Sequence, residues 1–442
     1  MTVGTPNTER VAKVTRALDV MSASRDRRAF HVPGRIEVLG KHTDYAGGRS
    51  LLCAVERGFV IAAAPRADSL IRIVNADDES TLSSDGIDTK PHRTGVAPGW
   101  WRYAATVIER LRRDFSNIRR GADVAFSSNL PPDSGLSSSS ALVVALFLAL
   151  DAVNEFHGDP RYRTAIPNAE LLAEYLGAVE NGRPFAPLQA AGGGGVGTHG
   201  GSEDHTAILC CRADTLSRYA FCPVRFEGAV PMPAGHVFAI AFSGVAAAKT
   251  GNALTQYNEA SIATQEIVRL WNVRTNREDA TIGDALSATP AAPERLRDTV
   301  RTSKPRGFTS ARLKDRLEQF LAESCEIIPR AFDALRAGHV AEFGRLVEQS
   351  QGNVERWLGN QTAETIALVR QARSLGAGAA SAFGAGFGGS VWAMVREDSA
   401  DVFSRAWRDA YAAEFPSAAP KAIFFITQAA DGAAEIPFGD VT

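Results

Sequence analysis

Short apolar runs separated by turn signals dominate the first part of the chain. "HVPGRIEVL", "SLLCAV", "GFVIAAA" and "LIRIV", between Phe30 and Val74, each read as a strand, and together they predict a largely antiparallel sheet. "WWRYAATVIERL", Trp100 to Leu111, places its apolar residues at helical spacing instead. "ADVAFSS" then predicts a strand, a Pro/Gly/Ser loop follows, and a helix begins near Ser138. Its run "ALVVALFLAL", Ala141 to Leu150, is the longest apolar stretch; it is too short to span a bilayer and reads as a buried helix. A further helix over Asn168 to Glu180 precedes "QAAGGGGVGTHGG", a loop by composition.

The second half has another texture. "HVFAIAFSGV" and "KAIFFITQA" predict strands; "RLKDRLEQFLAESCEIIPRAFDALRAG", "HVAEFGRLVEQSQGNV" and "TAETIALVRQARSLG" predict amphipathic helices. "EGAVPMPAG" marks a domain boundary, dividing the chain into 1–230 and 231–442. Ser287 to Gly307 shows no clear period and reads as an exposed excursion. No internal repeat is visible.

Composition narrows the class. The chain has 442 residues, 45% of them hydrophobic, enough for two domain cores. Lys+Arg 48 against Asp+Glu 50 leaves a formal net charge of -2, which gives no support to a nucleic-acid or membrane-surface partner. The charged N-terminus lacks the apolar core of a signal peptide. Five cysteines without metal-ligand spacing read as reduced thiols, so the expected compartment is the cytoplasm.

Three segments carry candidate chemistry. "PPDSGLSSSSA" puts glycine, serine hydroxyls and free backbone amides at the start of an apolar helix, which is what a polyphosphate requires. It is neither a Walker A loop nor GxGxxG. "FGAGFGGSVWAMV", Phe383 to Val395, is a second glycine cluster, able to admit a ligand or another loop close to its backbone. "HGGSEDHTAILCC" brings Glu203, Asp204 and His205 to an expected loop-to-strand junction, where they supply a base, a metal ligand or merely a solvated turn. A fourth, "GRIEVLGKHTDYAGG", packs Arg35, Glu37, Lys41, His42 and Asp44 beside an apolar strand.

In this order the segments resemble the three motifs of the GHMP kinase superfamily and, within it, the galactokinase family. "GRIEVLGKHTDYAGG" is similar to that family's sugar-binding signature, "PPDSGLSSSSA" to its phosphate loop and "GAGFGGSV" to its third motif. The resemblance implies an α+β fold of two domains: an N-terminal mixed-sheet domain and a C-terminal ferredoxin-like domain, with the active site in the cleft between them. It implies ATP and Mg2+ as co-substrates, and transfer of a phosphoryl group to a sugar hydroxyl. By the same resemblance Asp204 and Arg35 are the catalytic pair, and Lys41, His42, Asp44, Gly201 and Tyr257 hold the sugar. Trp100 and Tyr103 lie near the adenine, Gly135, Leu136, Ser137, Ser138 and Ser139 cradle the phosphates, and Ser139 and Glu180 hold the magnesium, with Glu174 competing for Glu180's place. The oligomeric state is not implied.

Three positions depart from the family pattern: Glu37 replaces an asparagine, Lys41 a glutamate and His205 a glutamine. A buried lysine requires an anion. Either Glu37 or Glu203 pairs with it internally, or the substrate is a sugar acid whose carboxylate meets it. Galactose, a sugar acid such as galacturonate and a non-catalytic sugar-binding role therefore stay open.

Overall fold

The computed structural model describes residues 6–84, 99–115, 120–246 and 251–438. Thirteen strands form two sheets: β1 Arg28–Leu39, β2 Arg49–Pro65, β3 Ile71–Asn75, β4 Thr81–Ser84, β5 Ala122–Ser128, β6 Thr215–Ala220, β7 Arg225–Pro231, β8 His236–Phe242, β9 Ala379–Phe383, β10 Ser390–Arg396, β11 Ile423–Thr427, β12 Ala429–Ala430 and β13 Ala434–Ile436.

The first sheet is nine-stranded, with a main path β13-β1-β2-β5-β3-β4, with β6 and β12 attached along β2 and β7 paired to β6. All its pairings are antiparallel except β3 with β5, so the sheet is mixed. "SLLCAV" and "GFVIAAA", read above as two strands, are one strand, β2. The break in the apolar pattern at Glu56-Arg57-Gly58 is a bulge where the register against β1 shifts from Pro33–Gly58 to Arg35–Ala54, and Gly58 serves it because a Cβ there would lie 2.3 Å from the Val32 carbonyl oxygen.

The second sheet runs β11-β8-β10-β9, all antiparallel. Its strands show why they read as unbroken apolar runs. Phe238, Ile240, Trp392 and Met394 enter the main core shared with the first sheet. Val237, Ala239, Ala241, Val391 and Ala393 face a second cluster closed by the helices Ala363–Ser374 and Ala400–Glu414. Successive residues of a strand point to opposite faces, and here both faces are buried. The fold is α+β, as the motifs imply. The last strands return: β13 pairs with β1 and β12 with β2, so residues 429–436 complete the first sheet.

Helix Ser138–Asn154 is apolar all round and lies against β1 and β2. Two expectations need correction. Glu203–Cys210 is a helix, not the start of a strand; acidic residues in its first turn complement the helix dipole. Ser287 to Gly307 is no excursion, because Ala292–Thr302 is a helix that buries Ala292, Leu296 and Val300 against the helices Gly251–Thr275 and Ser310–Phe320. Its apolar residues sit four apart between prolines and charges, so the period is short and easily overlooked. Tyr45 and Ala46 of the first motif belong to the same cluster.

Because Leu296 is fully buried, Leu296→Ala is expected to lower the unfolding free energy by about 3 kcal/mol. Urea denaturation measures this, and a loss below about 0.5 kcal/mol would mark a surface position instead.

Candidate active site

The motifs meet through backbone. Leu136 O accepts from the Arg35 amide at 3.2 Å, and Gly135 O accepts from the Arg35 guanidinium. The two glycine clusters pack on one another: a Cβ on Gly384 would lie 3.0 Å from Gly135 O, and Ser390 Oγ donates to Ser134 O at 2.6 Å. Close backbone approach is thus used for another loop. Ser137 adopts the left-handed conformation and starts the helix Ser138–Asn154 with no side-chain cap and no acid in its first turn. That helix end offers amides and a positive dipole to an anion.

Asp204 stands on the first turn of its helix. Arg35 Nε and Nη2 lie 2.7 and 2.6 Å from the same oxygen, Oδ1, while Oδ2 is 3.4 Å from Ser140 Oγ. Ser140 Oγ also donates to Glu180 Oε2 at 2.8 Å. The serine between the two carboxylates is therefore Ser140. Glu180 lines the cleft; Glu174 accepts instead from the Val224 amide at 3.1 Å. His205 Nε2 comes within 3.0 Å of Glu180 without the alignment of a hydrogen bond.

These groups line a cleft of about 520 Å³, open solvent included, together with His42, Asp44, Gly201, Tyr257 and Ala385. Gly201 is required by Asp44, whose Oδ2 would be 2.2 Å from a Cβ there. Asp44 Oδ2 in turn accepts from the Glu203 amide at 3.2 Å. Burial pushes the Asp44 carboxyl above its ordinary range. Both His42 nitrogens have protein partners: Nδ1 meets Tyr45 OH at 2.8 Å and Nε2 meets Ala385 O at 3.2 Å. Its ring, in a residue with φ 58°, links the first motif to the third and packs at 5.4 Å from the Tyr257 ring. Trp100 donates to Ser80 Oγ at 3.2 Å, and Trp100 and Tyr103 lie off this cleft, Tyr103 on the phosphate-loop side. Burial pushes Tyr103 up to about 12.

Lys41 is not brought to the cleft. It is fully buried, its Nζ donates to Ser381 Oγ at 2.8 Å, and Ser381 passes a hydrogen bond to Gln351 at 2.9 Å. Glu37 is the anion whose field it meets: burial pushes that carboxyl up to about 7, and the Lys41 and Arg35 charges oppose the rise. Ser50 Oγ donates to Glu203 Oε2 at 2.6 Å. The departures at 37 and 41 are thus one compensating change inside the protein.

Reading the sequence overlooked Ser140 and Asn181. Asn181 Oδ1 accepts from Thr198 Oγ1 at 2.7 Å and from the Gly200 amide at 2.9 Å, fastening the glycine-rich patch over the end of helix Ala169–Glu180. Only its place directly after Glu180 hinted at this. Among the described residues no cluster of three His, Cys, Asp or Glu side chains could hold a metal, and no helix is long and apolar enough to cross a membrane.

Comparison with known proteins agrees with this geometry. Residues 102–184 match the GHMP kinase N-terminal domain and 331–413 the GHMP kinase C-terminal domain. The fold and the site define a kinase of the GHMP superfamily. Residues 21–65 match the galactokinase galactose-binding signature. The chain is 27% identical over 412 residues to a galactokinase of Roseiflexus, covering 91% of this chain and 92% of that one. It is 26% identical over 419 residues to one of Exiguobacterium sibiricum, covering 92% and 93%. A solved Lactococcus lactis galactokinase complexed with galactose superposes with a TM-score of 0.77 at 21% identity, over 96% of this chain and 99% of that one. A mevalonate kinase of Methanococcus jannaschii superposes less well, with a TM-score of 0.55 at 15% identity over 91% and 98%. The chain belongs to the galactokinase family of ATP-dependent sugar kinases.

Two measurements test the internal charge pair. Lys41→Met, which leaves Glu37 uncompensated, is expected to cost about 3 kcal/mol of stability, and adding Glu37→Gln to restore part of it. A raised carboxyl pKa stabilises the native state fully below the ordinary 4.5, and that contribution is lost as pH rises through about 7. Wild-type stability relative to Glu37→Gln should therefore fall across that window, and a flat difference would exclude a raised Glu37 carboxyl.

Proposed function

We propose that this enzyme transfers the γ-phosphoryl group of ATP to the anomeric hydroxyl of galactose, or of a neutral sugar of the same configuration. The observation that carries the reading is the Arg35–Asp204 pair at the floor of a cleft where sugar motif and phosphate loop meet. Arg35 holds Asp204 from one side through Oδ1, and the carboxylate accepts the sugar hydroxyl proton while the sugar oxygen attacks phosphorus in line. ADP departs, and no covalent enzyme intermediate forms. Arg35, itself buried, offsets charge on the transferred group. Gly135 to Ser139 cradle the phosphates at the uncapped helix end, with Trp100 and Tyr103 towards the adenine. Asp44, Tyr257, Gly201 and the His42 ring hold the sugar.

Magnesium fits the donor set present. Ser140 and Glu180 offer hard oxygens beside the phosphate loop, and this ion is commonly held by one or two carboxylates together with substrate phosphates, not by a protein cage. Bound there, it would neutralise phosphate charge. Ser140, which lines the cleft and reaches both Glu180 and Asp204, takes this role in place of Ser139.

A neutral sugar is favoured over a sugar acid. The carboxyls of Glu37, Asp44, Glu180, Glu203 and Asp204 line the cleft against one guanidinium that Asp204 already holds, so a substrate carboxylate would find no spare guanidinium or ammonium there, and Lys41 is sealed away from it. A purely binding role is disfavoured because the Arg35–Asp204 contact is intact. We also assign the protein to the cytoplasm and the domain division to the β7–β8 junction near 230/231, with 429–436 returning to the first unit.

An ATP-consumption assay over a sugar panel should show turnover of galactose and none of galacturonate; the reverse result would overturn the neutral-sugar reading. Asp204→Asn is expected to lower kcat by about 10²-fold or more, and unaltered turnover would remove Asp204 from catalysis.

A further inference from the structure

A second cavity adjoins the sugar cleft. Its volume is about 330 Å³, at the lower end of the range of about 300–1,000 Å³ usual for small-ligand sites. His42 lines both spaces. So does helix Gly251–Thr275, which turns Tyr257 towards the sugar cleft and, within the next turn, Gln256 and Glu259 towards the outer cavity.

The far wall is Val354–Leu358, where the helix Val340–Asn353 widens into a π-type turn that ends at Gly359 with φ 69°. Such turns are rare in helices and concentrate at functional sites. This one is built in place. Arg312 Nη1 and Nη2 donate to the carbonyls of Trp357 and Leu358 at 2.8 and 3.3 Å, while its Nε donates to Glu259 at 3.0 Å. The clamp gives the cavity a half-buried tryptophan with the guanidinium of Arg356 over one side of its ring, 5.7 Å from the centroid; Asp315 also lines the space.

The lining identifies the chemistry of an occupant. Two carboxylates, Glu259 and Asp315, balance two guanidiniums, Arg312 and Arg356, so the wall selects for no net charge. It offers donors and acceptors together with one aromatic face, the complement of a ring with hydroxyls at its rim and C–H groups on its face. Nucleotide phosphates would want an uncapped helix end or a cationic excess, and the cavity has neither.

We propose that this cavity is an outer subsite for a second neutral pyranose ring, linked to the sugar held in the inner cleft and seated on Trp357. The inference rests on the kinase reading and extends its substrate class to oligosaccharides whose reducing-end residue is galactose. The chemical step is unchanged: the bond from phosphorus to the ADP oxygen breaks, the bond to the anomeric oxygen forms, its proton goes to Asp204, and the glycosidic bond is untouched.

The test compares galactose with disaccharides that carry galactose at the reducing end and a neutral pyranose at its 3-, 4- or 6-oxygen. Wild-type enzyme should phosphorylate at least one of them. Trp357→Ala should raise the KM for that disaccharide about tenfold and leave the KM for galactose within about twofold. Gln256→Ala, on an exposed side chain and so free of folding effects, should raise the disaccharide KM about threefold. Turnover of galactose but of no disaccharide overturns the outer subsite and leaves the kinase reading standing. Equal KM changes for both substrates in both variants also overturn it. Cooperative galactose kinetics abolished by Trp357→Ala would make the occupant a free sugar and overturn the linked-ring assignment. No turnover of any sugar defeats the kinase reading and this inference together.

Discussion

One buried guanidinium organises the site. Arg35 is carried by β1, gives its backbone amide and a side-chain N–H to the carbonyls of the phosphate loop, and grips Asp204 from a helix 169 residues later. An arginine cannot shed its charge in a protein, so a buried one demands acceptors in fixed directions. Each segment it reaches supplies an acceptor and is held in register by doing so. The other contacts of the cleft follow from that convergence: Ser140 reaches both Asp204 and Glu180 only because the loop and the helix have been drawn to the same strand.

A second buried guanidinium supports the sugar side. Arg316, fully buried on helix Ser310–Phe320, meets His42 O, Ala260 O at 3.3 Å, Gln319 and Tyr45 OH at 3.4 Å. It has no carboxylate among these partners, and its bonds go to carbonyl and neutral side-chain oxygens. The left-handed backbone of His42 is thereby fastened to the helices of the second half, and the helical cluster around Leu296 carries the same connection through Tyr45. Strain in the motif turn is offset by packing supplied from elsewhere in the chain.

Much of this was legible in the residues. The apolar runs of β1, β3, β5, β8 and β11 and the buried helix after Ser137 follow from period and length, because local pattern reports which faces will be covered. The phosphate loop was legible because glycine, serine and an apolar helix in that order leave amides exposed whatever lies around them. Less legible were features that depend on a partner distant in sequence. Glu203, Asp204 and His205 looked like a junction to a strand, since the run after them is too short to display a helical period. Whether Ser139 or Ser140 faces the carboxylates turns on one step of helical rotation, about 100°, which serine-rich text does not distinguish.

Lys41 shows where the division falls. The sequence by itself determined that a cation stands where the family has an acid, that a buried ammonium must find an anion, and that Arg35 and Asp204 are both present for phosphoryl transfer. It also determined the fold class, through the order of its motifs. Only the tertiary structure decided that Lys41 turns to Ser381 and the field of Glu37 instead of to a ligand, and that the cleft is lined by carboxylates. The reason is geometric: a residue's type states what its charge requires, but the direction of a side chain, and therefore which charge it meets, is set by how β1 is placed against a sheet more than three hundred residues away.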